Sequence, residues 1–242
     1  MKDLHSHVLY GIDDGSKSIE ESIALLKKLE ESGTTDLMLT PHYIENSKYN
    51  SNNQEKEALL KKLKTRAKKE KININLYLGN EVYITSNFLK LLKKEEIKTL
   101  NGSKYLLLEF PMSQIYNNTL EIINELVRKG YVPVLAHPER YKDFQKHPEM
   151  IDEYLRSGVL LQGNLTSLFG KYGKEAEKTL KYFLKRKWIT FLGSDVHHEV
   201  KFDEKKLNRK LLKATRDKNY IEDLLRNNFD KVIKNEDLGI LR

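Results

Sequence analysis

Residues 105–111 read YLLLEFP and residues 132–138 read VPVLAHP. Each is an apolar run of strand length that closes on a metal-capable side chain, Glu109 or His137. A proline follows, Pro111 or Pro138, and with no N–H to give it stops the strand. The same arrangement recurs outward in both directions. KDLHS (2–6), DLMLT (36–40, stopped by Pro41), INLYLGNEVYI (74–84), VLLQGN (159–164) and WITFLGSD (188–195) all read as strands, making seven in total.

Helical sequence follows each strand. Ser18 and Glu21 form a Ser-x-x-Glu capping box ahead of Ile19, Ile23, Leu26 and Leu29, and Gly33 ends that helix. Residues 54–70 predict a basic amphipathic helix, and 86–94 a short one capped by Ser86. Further helices are expected at 118–129, 148–157, 174–187, 203–216 and 218–228. Apolar strands alternating with helices predict a parallel sheet covered by helices, either a closed barrel or an open doubly wound sheet. No Gly-rich phosphate loop follows the first strand, which counts against a dinucleotide-binding fold. No linker, repeat or low-complexity segment divides the chain, so residues 1–242 are expected to form one domain.

Composition narrows the chemistry. The chain has no cysteine, which excludes disulfides, thiolate metal sites and a cysteine nucleophile. Any metal must be held by His, Asp and Glu, a set that suits Mn, Fe, Zn or Mg. No apolar run is long enough to span a bilayer and no signal pattern opens the chain, so a cytoplasmic protein without membrane insertion is expected. The net charge of +8 fits a lysine-rich solvated surface or attraction to an anionic partner. The lysines sit on helical faces without interleaved aromatics, so nucleic acid is not an expected partner.

The metal-capable residues fall at the ends of successive strands: His5 and His7, His42, Glu81, Glu109, His137, then Asp195 and His197. In a parallel α/β barrel those C-terminal ends converge on one face, where the active site lies. His-x-His and Asp-x-His place both side chains on one side of an extended segment. His147, before Pro148, and His198 are read as surface residues. By spacing alone, Asp13 and Asp14 read as turn residues before Gly15.

The motifs DLHSHVLYGIDDGSKSIEES, TPHY, GNEVY, LLLEFP, AHPERY and GSDVH span positions 3–197. In this order they resemble the polymerase-and-histidinol-phosphatase (PHP) superfamily, and within it the bacterial capsule-associated, manganese-dependent protein-tyrosine phosphatases. GIDDG together with HPERY is the narrowest part of the likeness. The resemblance implies a distorted TIM-like barrel of seven β/α units holding three divalent ions, with Mn2+ the first choice. It places His5, His7, Glu81 and Asp195 on the first ion. Glu81 bridges to a second, completed by Glu109 and His137, and Asp14, His42 and His197 hold the third. Asp13 is then structural. The implied reaction is hydrolysis of phosphotyrosine on protein, the tail of a tyrosine kinase controlling capsule or exopolysaccharide synthesis, by metal-activated hydroxide. Arg140, three residues past His137, is expected to fork the phosphate oxygens, a surface ion pair being the alternative. Related phosphatases often carry an arginine in the loop after Asp-x-His; here that loop reads HHEVKFDEKK, with no arginine before Arg209. A small-molecule phosphatase of the histidinol phosphate type and a nucleic-acid phosphodiesterase are the other readings. No general acid is assigned, and the oligomeric state is not legible.

Overall fold

The computed structural model describes residues 1–94, 96–116 and 118–239. Its strands are β1 (Lys2–Asp3), β2 (Asp36–Leu39), β3 (His42–Tyr43), β4 (Asn75–Leu78), β5 (Glu81–Tyr83), β6 (Tyr105–Glu109), β7 (Val132–Ala136), β8 (Leu160–Asn164) and β9 (Ile189–Gly193). Every pairing is parallel, in two sheets ordered β1-β2-β4 and β3-β5-β6-β7-β8-β9. The helices are α1 (Ile19–Glu31), α2 (Asn53–Lys69), α3 (Phe88–Lys93), α4 (Thr119–Arg128), α5 (Lys142–Lys146), α6 (Ile151–Arg156), α7 (Gly173–Lys185), α8 (Glu204–Thr215), α9 (Lys218–Glu222) and α10 (Asn228–Ile233).

All seven expected strand segments are present, and the third is split: Gly79 and Asn80 separate β4 from β5. The second ends before Pro41, as expected, and the chain past that proline forms β3, which was not expected and joins a different sheet from β2. Thr40 N donates to Ser6 O at 2.8 Å, and Glu81 N is shared between Thr40 O and Pro41 O at 3.3 Å each. The segment after β1 is bonded to the other side of the fold: Leu4 N to Leu192 O (3.3 Å), Asp195 N to His5 O (2.9 Å) and His7 N to Val196 O (2.9 Å).

Helix starts follow the expected chemistry in part. Ser18 caps α1 by accepting from Glu21 N at 3.3 Å, while the Glu21 carboxylate takes Lys17 N at 2.8 Å instead of closing the box on Ser18. Ser86 does not cap α3, which begins at Phe88 after Asn87. The helix expected at 148–157 is α6 behind a short 3-10 turn, and α5 was not expected. The last helix runs past residue 228: α9 continues through a π turn (Asp223–Asn227) into α10.

Alternation along the strands explains the two cores. Leu106, Leu108, Leu135 and Leu161 face the helices in the larger one. Tyr105, Leu107, Val134, Leu160 and Phe191 point the other way and meet Leu4, Met38 and, from α10, Phe229 and Val232. The period of two carries that inner face onward to polar residues: Leu107 leads to Glu109, and Leu160 to Gln162 and Asn164. One end of the inner face is thus packed with hydrocarbon, and the other is left polar for a site. No helix among the described residues is long and apolar enough to cross a membrane.

Candidate metal centre

Backbone geometry delivers the side chains. His137 and Asp195 leave their strands in the left-handed region (φ 36° and 51°), a conformation that costs an L-residue energy and recurs at functional sites. In GIDDG, a Cβ on Gly15 would lie 2.0 Å from His7 O, so only glycine lets the turn pass beneath His7.

The nine metal-ligand candidates come together in one nest, with Arg140 on its wall. His5 Nε2 lies 3.1 Å from His7 Nε2, 3.2 Å from Glu81 Oε2 and 3.6 Å from Asp195 Oδ1. His7 Nε2 is 3.3 Å from the same Glu81 oxygen and 3.4 Å from Asp195 Oδ1. His137 Nε2 is 2.8 Å from Glu81 Oε1 and 3.8 Å from Glu109 Oε1. His42 Nδ1 is 3.1 Å from Glu81 Oε2 and 3.7 Å from Glu109 Oε2, with its Nε2 3.6 Å from Asp14. His197 Nε2 is 3.5 Å from the same Asp14 oxygen. His5, His7, Glu81, His137 and Asp195 are buried; Asp14, on the rim, has a side chain 48% exposed. As expected, His147 and His198 are exposed; His147 pairs with Glu149 at 3.5 Å.

These residues fit divalent metal. Donors about 2.1 Å from one ion stand roughly 3.0–3.4 Å from each other, close to the spacings seen here. Among the described residues, three sets have mutually close donor atoms: His5, His7 and Glu81; His42, Glu81 and Glu109; and His7, Asp14, His42 and His197. They overlap at His7, His42 and Glu81, so the nest is continuous. Among the described residues, the buried Nδ1 atoms of His42 and His137 have no partner in hydrogen-bonding geometry, an unusual cost for a folded protein unless a further ligand is meant for the nest.

The charges strain against one another. Burial lifts Glu109 well above the ordinary range for a glutamate, and the charge of nearby Glu81 adds to the lift. Burial opposes ionisation of Glu81 too, but His5 and His42 outweigh it and hold that carboxyl well below the usual range. His137 is pushed down to about 4 by burial and then by the charge of Arg140. The hydrogen bond from His197 keeps Asp14 low.

Around the donors lies a set of orienting groups that sequence reading missed. His7 Nδ1 meets Asp13 Oδ2 at 2.7 Å, and the same oxygen accepts His42 N at 3.1 Å. Asp13 does serve the turn, taking Gly15 N on its other oxygen at 2.9 Å. It also fixes the ring of a candidate ligand, a role that spacing does not show. His5 Nδ1 meets Gln162 Oε1 at 2.7 Å, and Asn164 Nδ2 donates to Asp195 Oδ2 at 2.8 Å. That Asp195 oxygen also accepts Arg140 Nη1 (2.8 Å) and the Tyr172 hydroxyl (3.1 Å), leaving Oδ1 toward the histidines. The Arg140 guanidinium rests 4.3 Å from the Tyr172 ring centre. With Tyr172, Lys171, His197 and Lys201 it lines a cavity of about 360 Å³ beside Asp195.

A parallel α/β fold with a buried His/carboxylate nest at one end of its strands defines the class of protein at hand. Residues 1–234 match the family model described as capsular polysaccharide synthesis, CpsB/CapC, and the chain belongs to that family. It is 36% identical over 197 residues to CapC of Staphylococcus aureus, covering 81% of this chain and 77% of that protein. It is 30% identical over 206 residues to the tyrosine-protein phosphatase CpsB of Streptococcus agalactiae, covering 82% and 83%. It superimposes with a TM-score of 0.92, at 26% identity and full coverage of both chains, on a solved structure from work on YwqE of Bacillus subtilis and CpsB of Streptococcus pneumoniae, described as unique metal-dependent tyrosine phosphatases.

Proposed function

We propose that this chain is a metal-dependent protein-tyrosine phosphatase whose substrate is a phosphotyrosine-bearing protein, the tail of a bacterial tyrosine kinase governing capsule or exopolysaccharide synthesis, and that it works in the cytoplasm. The observation that carries the reading is the continuous nest of five histidines and four carboxylates with Arg140 on its wall. Family membership and the relatives' names support it. His5, His7, Glu81 and Asp195 would hold one ion, Glu81, Glu109 and His137 a second, and Asp14, His42 and His197 a third, with Mn2+ the first choice. Such ions, when bound, supply Lewis acidity that offsets phosphate charge and lowers the pKa of water.

The chain's own residues then have defined tasks. Asp195 keeps Oδ2 occupied by three donors and so offers Oδ1 alone to the nest. A guanidinium has five N–H groups, and one of Arg140's goes to Asp195. The others are available to two phosphate oxygens, with the Tyr172 ring restraining the plane of the fork. Lys171 and Lys201 supply positive charge on the same cavity, where the loop after His197 has no arginine before Arg209. The chain has no cysteine nucleophile, which agrees with water as the attacking group, and a phenolate of pKa about 10 leaves.

We also read β2 with β3, and β4 with β5, as single interrupted strands. That gives a distorted barrel of seven β/α units in one domain, a reading supported by the bonds from residues 4–7 to Leu192, Asp195 and Val196. The deciding assay compares manganese-loaded protein on a phosphotyrosine peptide, histidinol phosphate and single-stranded DNA. The peptide should give the highest kcat/KM; a peptide left intact overturns the reading.

A further inference from the structure

We infer that Gln162 and Asn164 are positioning residues that link His5 to Asp195 and dictate which His5 nitrogen is bare toward the nest. The inference rests on the metal-centre reading above. Both amides are fully buried on the inner face of β8.

The direction of the chain of bonds follows from chemistry, beginning at the carboxylate. An ionised carboxylate only accepts, so the Asn164 amide must turn its NH2 to Asp195 Oδ2, at 2.8 Å. Its carbonyl oxygen then faces Gln162 and can only accept, so Gln162 must donate its NH2 there, at 3.0 Å. That leaves the Gln162 carbonyl toward His5 Nδ1, at 2.7 Å. A carbonyl cannot donate, so the proton must sit on His5 Nδ1. In the neutral ring Nε2 is therefore a bare lone pair. Asp13 imposes the same state on His7 by accepting from its Nδ1. Two bare Nε2 atoms then face each other at 3.1 Å, an arrangement that suits a shared cation.

Two further features hold the relay in place. Asn164 N donates to Glu139 Oε1 at 2.9 Å, tying β8 to the turn after His137. Opposite Asn164 in the register stands Gly193. A Cβ there would lie 2.5 Å from His5 Cβ and 2.9 Å from Gln162 Nε2, so only a bare Cα admits both side chains.

The test uses zinc, which is diamagnetic, and needs no phosphatase substrate. In the zinc-loaded wild type, long-range 1H–15N spectra should show His5 protonated at Nδ1, with that proton protected from exchange. Gln162→Met and Asn164→Asp should each lower zinc affinity, measured by chelator competition, about 10–100-fold. In Gln162→Met the His5 Nδ1 proton should lose its protection, with the melting temperature little changed. The inference is overturned by undiminished affinity, by weaker affinity with an unaltered His5 proton, or by a wild-type His5 protonated at Nε2. The wild-type spectrum decides even if a variant fails to fold. Because every readout is binding or spectroscopy, a protein inactive on phosphotyrosine would sink the substrate reading and leave this one standing.

Discussion

His5, His7, Glu81, His137 and Asp195 on the floor of the nest are buried, whereas Asp14, His42 and His197 on the rim keep some exposure. The floor comes from strand ends and the residues just past them, and much of it is braced from behind. Gln162 braces His5, Asp13 braces His7, and Asn164, Arg140 and Tyr172 brace Asp195. The rim is assembled differently. Asp14 comes from a turn, His197 is held by its own neighbourhood through Asp195 O at 3.1 Å, and His42, like His137 of the floor, has an Nδ1 without a hydrogen-bond partner among the described residues. A braced ligand loses little freedom when it binds an ion, while an unbraced one must be ordered at that moment. The floor should therefore bind tightly and the rim weakly.

The most severe way to break this contrast is Asp195→Ala. It removes a floor donor and leaves Arg140, Asn164 and Tyr172 facing a void. Activity on a phosphotyrosine peptide should fall more than about 100-fold, beyond what outer-shell losses usually cost. Metal content, measured by elemental analysis after dialysis, should drop with it. Retained activity would remove Asp195 from the centre.

Asp14→Ala sharpens the contrast from the other side. The floor donors are untouched, so the protein should keep its tightly held metal and lose only the most weakly held fraction. Activity should fall on the order of 10-fold and recover in part when Mn2+ is raised, as a mass-action deficit would. If Asp14→Ala empties the protein as fully as Asp195→Ala does, floor and rim are one cooperative unit and the distinction fails.

The floor was more legible in the sequence than its bracing. His5, His7, Glu81, His137 and Asp195, and Glu109 beside them, announce themselves because each falls at a strand end, and Pro111 and Pro138 mark two of those ends. Asp14 needed the family resemblance, since two acids before a glycine look like any turn. Asp13 acts through a contact with a ring six residues away, which no local pattern records. Gln162 and Asn164 did leave a signal. They continue the inward period of Leu160, and polar side chains at inward positions of a buried strand need partners. On the fold side, the seven strand segments were readable from apolar runs. Pro41 was read as a stop; that the chain resumes pairing in another sheet depends on long-range register.

Burial alone is not what makes the floor hold together, and Lys56 isolates that point. It lies on α2, is as buried as His5, and has no carboxylate within ion-pair distance among the described residues. Among those residues its Nζ reaches the Asn80 side-chain oxygen (2.8 Å) and the face of Tyr43 (5.5 Å). Burial, with a contribution from Lys98, pushes it down to about 7. The sign follows from proton counting: between about 7 and 10.5 the unfolded chain binds this proton and the folded one does not, so stability rises with pH across that window. Below about 7 the full cost of burying the ammonium is present, about 5 kcal/mol as an upper bound at about 1.4 kcal/mol per pKa unit. Lys56→Met removes that cost, and Asn80 Oδ1 keeps Lys98 N as a donor at 3.0 Å. The variant should therefore gain stability over wild type at pH 6.5, by urea unfolding, and the gain should shrink at pH 9.5. A gain that is absent or independent of pH would mean that Lys56, like the floor residues, is compensated where it lies.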